Sequence, residues 1–210
     1  MKRLIIVGAG GFARELFSWV TKVREHGNEW IIHGFLDDNL NALDNYNYNV
    51  SIIDTIDNYS PQENDCFIMG ISAPTSKKRD IVERLQSKGA NFISLVHENA
   101  ILGNNIRIGK GSIISPNVTL SCDITVGDFV TINAFCGIGH DVIIGDWCTL
   151  NSFVNINGFS KLGDGVEVGS HAVVLPNGKV GEFAKIGAGS LVVKEVKPRT
   201  TVIGVPAKRL

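Results

Sequence analysis

An aliphatic residue returns at every sixth position through the second half of this chain, without a single insertion. The series has 17 consecutive members, all Val, Ile or Leu, although only 44% of the residues in the chain are apolar of any kind. Its members are Val96, Leu102, Ile108, Ile114, Leu120, Val126, Ile132, Ile138, Ile144, Leu150, Ile156, Leu162, Val168, Val174, Val180, Ile186 and Val192. A fixed period of this kind predicts a solenoid whose successive units stack on one another.

Two further regularities define the kind of solenoid. The position four residues after each aliphatic member is mostly small or β-branched, so one bulky and one small inward column describe a narrow core. Glycines followed by Lys, Asp or Glu recur every 18 residues, so three hexads make one coil. They are Gly109, Gly127, Gly145, Gly163 and Gly181. A glycine repeated at one corner indicates a backbone that needs either a positive φ or close approach there.

This pattern predicts a parallel β-helix whose coils are stacked roughly 4.8 Å apart. The alternative is a β-sandwich of many short strands. It would need hairpin turns at irregular spacing, and Asn-Gly, Asp-Gly or Gly-Gly pairs do not punctuate the region in that way.

Residues 1–95 lack the repeat and have the pattern of alternating strands and helices. The predicted elements are a strand over 4–7, a helix over 12–23, a strand over 30–36, a loop over 39–49, a strand over 66–71, a helix over 75–88 and a strand over 92–96. They make half of a doubly wound sheet, a half-Rossmann α/β domain. We therefore predict two domains, 1–95 and 96–210.

The turn after the first strand has the spacing Gly-x-Gly-x-x-Ala, formed by Gly8, Gly10 and Ala13, and Asp37 ends the second strand. This resembles a dinucleotide fingerprint, in which glycines let a phosphate approach the amides at a helix N-terminus. A mononucleotide-type ligand is favoured over NAD because a second βαβαβ half is missing. A tight turn with nothing bound is the alternative. The candidate substrate-binding residues are Gly10, Gly11, Phe12, Asp37 and Asp38.

Charge and cysteine content exclude several classes of protein. The chain has 20 Lys plus Arg and 21 Asp plus Glu, which gives no electrostatic footprint for nucleic acid or an acidic membrane. No segment has the ~18 consecutive apolar residues of a membrane span, and the N-terminal apolar run is broken by glycines. The four cysteines form no C-x-x-C pair or zinc-type spacing. We expect a cytoplasmic protein without a metal site.

One histidine of the repeat is a candidate catalytic residue. His97 lies at the domain junction, and His171 shares its repeat phase with aromatic residues, so both are expected to be structural. His140 lies in the segment GIGHDVIIGD, and the 18-residue period places Gly158 one coil above it and Cys122 one coil below. A base beside a glycine N–H indicates a general base with an oxyanion donor. The alternative is an ordinary surface histidine.

Four segments carry a family resemblance that covers essentially the whole chain. They are IIVGAGGFARE, FLDDN, GHDVIIGD and the closing VIGVPAKRL. In these segments the chain resembles the bacterial sugar O-acyltransferase and sialic-acid O-acetyltransferase group. That group includes N-acetyltransferases of nucleotide-linked 4-amino-4,6-dideoxy sugars. The resemblance implies a left-handed β-helix and a homotrimer. It also implies that acetyl-CoA lies in the groove between neighbouring β-helices of the trimer and that a sugar nucleotide binds to the N-terminal domain.

The resemblance also implies roles for individual residues. His140 is the base, Asp141 is its carboxylate partner, and the Gly158 N–H contacts the thioester oxygen. The chain departs from the family pattern at Thr149, where some relatives have a second histidine, and at Phe12 and its neighbour, where relatives often have His-Gly-like residues.

These observations predict an acetyl-CoA-dependent acetyltransferase that acts on the amino group of a UDP- or dTDP-linked 4-amino-4,6-dideoxy sugar. Sialic-acid or other sugar O-acetylation is the alternative within the same class, since a histidine base could deprotonate an amine or a hydroxyl. Two alternatives belong to other classes. One is a metal hydrase on the same β-helix, which would need three converging histidines. The other is a non-catalytic nucleotide-sensing scaffold.

The C-terminal end is a candidate site for the cofactor. Residues 194–210 contain five basic residues and one acid, among them Lys208 and Arg209. Such a charge could hold the phosphates of CoA, and Gly187 and Ala188 offer backbone with little side chain in front of it. A solvated basic tail is the alternative.

The aromatic residues of the repeat predict an interface. All of them fall three places after an inward aliphatic residue, so we expect them to lie outside the core column. They are Phe129, Phe135, Trp147, Phe153, Phe159 and Phe183. Large aromatics outside a core usually mark an interface, which agrees with a homotrimer.

Overall fold

The computed structural model describes residues 1–23, 27–72 and 75–210, and these form two compact units, 1–93 and 94–210. The first unit contains a four-stranded parallel sheet in the order β3-β2-β1-β4. Its elements are β1 (Lys2–Val7), α1 (Gly11–Val20), β2 (Trp30–Leu36), β3 (Ile52–Asp54), β4 (Asp65–Met69) and α2 (Thr75–Ser87). The predicted half of a doubly wound sheet is thus confirmed. Within the described ranges, no helix is long and apolar enough to cross a membrane.

Three details of this unit differ from the sequence-based expectation. The short strand β3 is not predicted, because its three residues are only half-buried and follow a polar loop. The helix α1 ends at Val20 rather than at residue 23. The predicted strand over 92–96 is divided, since Phe92 forms a bridge with Phe67 while Leu95–Val96 pairs within the second unit.

The second unit is a β-helix with three faces built from parallel two-residue strands. The first face contains Leu95–Val96, Ile113–Ile114, Thr131–Ile132, Thr149–Leu150, Glu167–Val168, Lys185–Ile186, Thr201–Ile203 and the antiparallel strand Lys208–Arg209. The second contains Ile101–Leu102, Thr119–Leu120, Gly137–Ile138, Asn155–Ile156, Val173–Val174 and Leu191–Val192. The third contains Arg107–Ile108, Thr125–Val126, Ile143–Ile144, Lys161–Leu162 and Lys179–Val180. The fold predicted from the repeat is confirmed.

The predicted inward columns form the core of this unit. Paired strands are offset by 18 residues, as in the pairing of Thr125 with Ile143. From Ile114 onward the aliphatic series is buried, and the small column is buried with it at positions such as Cys136 and Cys148. The first coil is the exception, because Leu102 is 42% exposed. A coil at the end of a stack has a neighbour on one side only, so its inward residues are less covered.

The recurring glycines allow close approach between coils rather than a positive φ. A Cβ added at Gly127 or at Gly145 would lie 2.8 Å from the backbone nitrogen of Asp146 or of Asp164, a separation that real side chains do not reach. The acids that follow these glycines connect the coils, since Oδ1 of Asp146 accepts from the Asp128 amide at 2.8 Å. The Gly-Asp pairs of the sequence therefore mark one corner of the prism.

Positive φ occurs instead three places after each inward aliphatic residue from Leu102 to Ile186, where the chain turns from one face to the next. All six aromatics of the repeat lie at this left-handed corner position. Most of them stack along a corner, with ring centroids 4.4 Å apart for Phe129 and Trp147 and 4.9 Å apart for Phe135 and Phe153. Phe129 is buried, contrary to the expectation that the whole set lies outside the core. Stacking within one chain explains Phe129 and Trp147 without an interface.

Candidate active site

His140 lies at the corner that joins the strand Gly137–Ile138 to the strand Ile143–Ile144. Its side chain is 51% exposed, and its Nδ1 lies 2.9 Å from Oδ2 of Asp141. Asp141 occupies the left-handed corner position with φ 59°, a conformation that Asp tolerates better than most residues. The corner therefore presents an imidazole whose Nδ1 is held by the next carboxylate in the chain.

Gly158 lies directly against the imidazole, as the 18-residue period predicts. A Cβ added at Gly158 would be 2.8 Å from Cε1 and Nε2 of His140, so only glycine leaves room for this ring. Backbone hydrogen bonds join this coil to both of its neighbours. The Phe159 amide donates to the His140 carbonyl at 3.0 Å, and the Asp141 amide donates to the Cys122 carbonyl at 3.1 Å. Within the described part of the chain, the Gly158 amide has no hydrogen-bond acceptor.

The arrangement can support proton transfer and oxyanion stabilisation at one place. When Nδ1 of His140 carries the hydrogen and donates it to Asp141, the lone pair of Nε2 is available to accept a proton. The unpaired amide of Gly158 can donate to an oxygen on which negative charge develops. The site is completed by Phe159, whose ring meets the imidazole edge-to-face with centroids 4.9 Å apart. Sequence reasoning placed Phe159 with the interface aromatics and missed this contact.

Cys122 is half-buried one coil below His140 and raises the question of a covalent mechanism. Its hydrogen bond with the Asp123 carboxylate raises the pKa of the Cys122 thiol, and the nearby Asp141 carboxylate acts in the same direction. A nucleophilic cysteine needs a lowered pKa. The surroundings of Cys122 therefore oppose formation of the thiolate.

We expect Cys122→Ser to keep kcat within about three-fold of wild type, because removing a structural thiol leaves an attack on the thioester intact. Steady-state kinetics with acetyl-CoA as donor would measure this. Mass spectrometry of wild-type protein treated with acetyl-CoA alone is the second arm. A stable acetyl group on Cys122 would contradict the expectation.

Cys136 and Cys148 are core residues, as predicted from the small inward column. Both are buried. Each thiol donates to a backbone carbonyl of the next coil, that of Asn151 at 3.0 Å and that of Gly163 at 3.1 Å. Burial raises the pKa of the Cys136 thiol to about 12, so this thiol is inert at neutral pH.

The other histidines of the β-helix have structural partners, as predicted. The ring of His171 stacks on Phe153 with centroids 4.7 Å apart. His97 is buried, and its Nδ1 accepts from the Asn99 amide at 3.1 Å. Thr149, which stands where some relatives have a histidine, is buried on the first face. Over 1–23, 27–72 and 75–210, no three His, Cys, Asp or Glu side chains form a group that could hold a metal ion.

The glycine loop of the first unit has the geometry of a phosphate-binding turn. Gly8 has φ 94°, which makes the tight turn after β1. Gly10 and Gly11 are exposed with open space where a Cβ would be. Ala13 packs against Gly70 so closely that a Cβ on that glycine would be 2.7 Å from the Ala13 Cβ. Of the three fingerprint positions, Gly8 makes the tight turn, Gly10 leaves the backbone accessible, and Ala13 allows close packing of the helix.

The first turn of α1 leaves backbone donors at this loop. The N-cap residue Gly10 provides no side-chain acceptor for them, so the amides of the first turn are available to an anion. The ring of Phe12 packs edge-on against Trp19 on the same helix, with centroids 6.3 Å apart. Phe12 therefore contributes its backbone, rather than its ring, to the loop.

Asp37 and Asp38 both bind backbone amides. Oδ2 of Asp37 accepts from the Ala9 amide at 2.7 Å, and its Oδ1 accepts from the Asn39 amide at 2.9 Å. Oδ1 of Asp38 accepts from the Ile56 amide at 3.1 Å. The structure places Asp37 at the glycine loop, where its carboxylate holds the loop backbone.

Only some of the C-terminal candidate residues for cofactor binding are accessible as expected. Lys208 and Arg209 are exposed, on a strand that pairs antiparallel with Thr201–Ile203. Gly187 is covered, since a Cβ there would be 2.8 Å from the Ile203 side chain, and its amide donates to Val202. The expectation of open backbone at Gly187 is therefore wrong, whereas Ala188 is exposed.

Each of the two units contains a segment that matches a known protein family. Residues 3–85 match the PglD N-terminal domain, and residues 123–158 match the bacterial transferase hexapeptide family, which covers six repeats. The second match spans the corner that carries His140 and Gly158. No curated protein sequence matches the chain at a significant level.

Solved structures share the fold over the full length of the chain. WeeI from Acinetobacter baumannii AYE is 24% identical, with 100% of each chain covered and a TM-score of 0.85. The acetyltransferase domain of PglB from Neisseria gonorrhoeae FA1090, solved with acetyl coenzyme A, is 24% identical over 100% of this chain and 99% of that domain, with a TM-score of 0.84. PerB from Caulobacter crescentus, solved with CoA and GDP-perosamine, is 22% identical over 100% of this chain and 98% of PerB, with a TM-score of 0.87.

The sequence motifs, the two family matches and the shared fold agree with one another. Residues 3–85 are therefore similar to the PglD N-terminal domain and residues 123–158 to the hexapeptide repeats of bacterial transferases, which confirms the resemblance carried by the motifs.

Proposed function

We propose that this protein is an acetyl-CoA-dependent acetyltransferase that acylates the amino group of a UDP- or dTDP-linked 4-amino-4,6-dideoxy sugar. The observation that carries the proposal is the His140 imidazole, held by Asp141 at Nδ1 and lying against the free amide of Gly158. The ligands bound in two structures of similar fold support the proposed substrate classes. The PglB domain was solved with acetyl coenzyme A, and PerB was solved with CoA and GDP-perosamine.

In the proposed reaction His140 acts first as base and then as acid. Nε2 takes a proton from the sugar amine as its nitrogen forms a bond to the thioester carbon. Gly158 donates its N–H to the carbonyl oxygen as negative charge develops there. Asp141 fixes the ring and stabilises the positive charge on it. When the carbon–sulfur bond breaks, the imidazolium returns the proton to the CoA sulfur.

We assign the nucleotide sugar to the loop between β1 and α1. The exposed backbone of Gly10 and Gly11 and the backbone of half-buried Phe12 can bind the diphosphate at the helix N-terminus. The Asp37 and Asp38 carboxylates lie at the carboxyl end of β2, and their remaining lone pairs can accept from a ribose hydroxyl or a base edge.

Acetyl-CoA is assigned to the β-helix. Gly158 contacts its thioester, while Ala188 and the basic strand with Lys208 and Arg209 are the candidate contacts for its phosphates. Gly187, covered by Ile203, contributes to that end as structural support.

We predict that the double reversal Lys208→Glu and Arg209→Glu raises KM for acetyl-CoA about 10-fold, equivalent to about 1.4 kcal/mol of binding free energy. Phosphates bound by two cations would then face two carboxylates. KM for the sugar nucleotide should be unchanged, because that substrate is assigned to the loop at Gly10. Initial rates with each substrate varied in turn would measure both constants. Equal changes in both, or none, would show that this strand does not bind the cofactor.

We also propose that the working form is a homotrimer. The support comes from apolar side chains that remain exposed on the β-helix, including Phe135, Ile143 and Phe153. We expect light scattering at micromolar protein to give three times the chain mass of 22.7 kDa. A mass of one chain would contradict a site shared between subunits.

The deciding experiment is a donor and acceptor panel. Purified protein is incubated with acetyl-CoA and with UDP-, dTDP- or GDP-linked 4-amino-4,6-dideoxy sugars, and released CoA and product mass are measured. Transfer to a UDP- or dTDP-linked amino sugar supports the proposal, whereas transfer to the GDP-linked amino sugar alone would contradict its choice of nucleotide. Transfer only to hydroxyl acceptors such as sialic acid would replace it with O-acetylation. Absence of turnover with every pair would favour a nucleotide-sensing scaffold.

A further inference from the structure

One corner of the β-helix contains a residue that its local backbone does not favour. The column of left-handed positions on the His140 corner has φ values between 57° and 62°. Its members are Asn105, Asp123, Asp141, Phe159 and Asn177. Asn and Asp are the non-glycine residues that best tolerate this conformation, whereas a bulky side chain there is an outlier. Phe159 is thus the exception in its column.

Among the described residues, Phe159 has neither the parallel ring stack nor the cation contact that each of the other corner aromatics has. Phe129 and Trp147 stack on each other, and Phe183 carries the Arg199 guanidinium on its ring. Phe159 is followed along its corner by Asn177 and preceded by Asp141, and it remains 52% exposed. Among the described residues its ring contact is with His140, edge-to-face at an angle of 87°. Within one chain, neither a stack of rings nor burial explains the aromatic ring at this position.

We propose that Phe159 is a positioning residue that holds the His140 imidazole over Gly158. The proposal rests on the acetyltransferase function, because it assigns Phe159 a role through the base of that reaction. The hydrogen bond to Asp141 restrains the imidazole at Nδ1 only, and both of its partners are about half exposed. The Phe159 ring supplies a second restraint that limits rotation of the imidazole away from the Gly158 amide. An edge-to-face pair is favourable in itself, and it directs Nε2 to the reacting atoms.

The test uses the residue that the column itself favours. Phe159→Asn suits the left-handed backbone, so Tm should be equal to or above that of wild type. We expect kcat to fall about 10- to 100-fold, because misplacing a catalytic group by about 1 Å can cost that much, while KM for both substrates stays within about three-fold. Phe159→Trp, which restores an aromatic edge, should recover most of kcat.

Two matched variants separate positioning from general structure. Phe183→Asn makes the same change at the same repeat position on another corner and should leave kcat unchanged. In a His140→Ala background, Phe159→Asn should cause no further loss, because the residue that it positions is absent. An unchanged kcat in Phe159→Asn, or a full additional loss in the double variant, would overturn the proposal.

A readout without turnover keeps this inference separate from the proposed function. In protein with 13C-labelled histidine, the Cε1–H signal of His140 is assigned by its disappearance in His140→Ala. We expect Phe159→Asn to shift or broaden that signal and Phe183→Asn to leave it in place. If wild type turns over no acceptor, the acetyltransferase proposal fails. If the His140 signal is unmoved in Phe159→Asn, the positioning role fails.

Discussion

Replacing His140 with alanine is expected to lower kcat by about 10²- to 10⁴-fold, the usual contribution of a general base. The fold and the proposed trimer should remain intact, because the side chain is half exposed and lies outside the core columns. KM for both substrates should change little, since the imidazole acts on the proton rather than on the nucleotide. Rates with saturating acetyl-CoA and sugar nucleotide would measure the loss.

Asp141→Asn is the companion variant. It keeps the shape of the carboxylate and removes its charge, so the ring is still held in part, and a smaller loss than in His140→Ala is expected. A value of kcat/KM within a few-fold of wild type in His140→Ala would show that another group is the base. A larger loss in Asp141→Asn than in His140→Ala would reverse the assigned roles.

Gly158→Ala should be nearly as damaging, although it adds only one methyl group. That methyl would lie 2.8 Å from Cε1 and Nε2 of His140, so the imidazole must move away. A displacement of about 1 Å at a catalytic group can cost about 10²-fold in rate. We expect a loss of this size in kcat, with the circular dichroism spectrum and the mass of the assembly unchanged.

The control for Gly158→Ala lies one coil further along the same column. Pro176→Ala changes an exposed corner residue at the equivalent repeat position and should leave kcat intact. Combining Gly158→Ala with His140→Ala tests the mechanism of the loss, because a methyl that acts by displacing the ring has little further effect once the ring is gone. Additive losses would assign the effect to the Gly158 amide instead.

The β-helix could be predicted in detail because each hexad repeats the same physical requirement. One residue in six must fill a narrow core, and one small residue must fit beside it. The prediction of a single strand over 92–96 was wrong, because an apolar run indicates that residues are buried but not which strand they pair with. Phe92 pairs with Phe67, whereas Leu95 begins the first coil.

The candidate site was predictable where it follows from stacking. The period of 18 places Gly158 against His140, and the motif places Asp141 beside it. Phe159 could not be found in this way, since its phase in the repeat is shared with aromatics that stack on one another. Gly187 was misjudged because Ile203, which covers it, belongs to a C-terminal strand outside the period.

The antiparallel pairing of Lys208–Arg209 with Thr201–Ile203 has a consequence for self-association. The last strand of a solenoid presents unpaired N–H and C=O groups, which form a template for adding another chain. Here the chain turns back, so the outermost strand is a short one with two adjacent positive charges. Two such edges repel each other, which limits growth of the β-helix into fibres. Charge reversal keeps this repulsion, whereas neutral substitutions at Lys208 and Arg209 would favour aggregation.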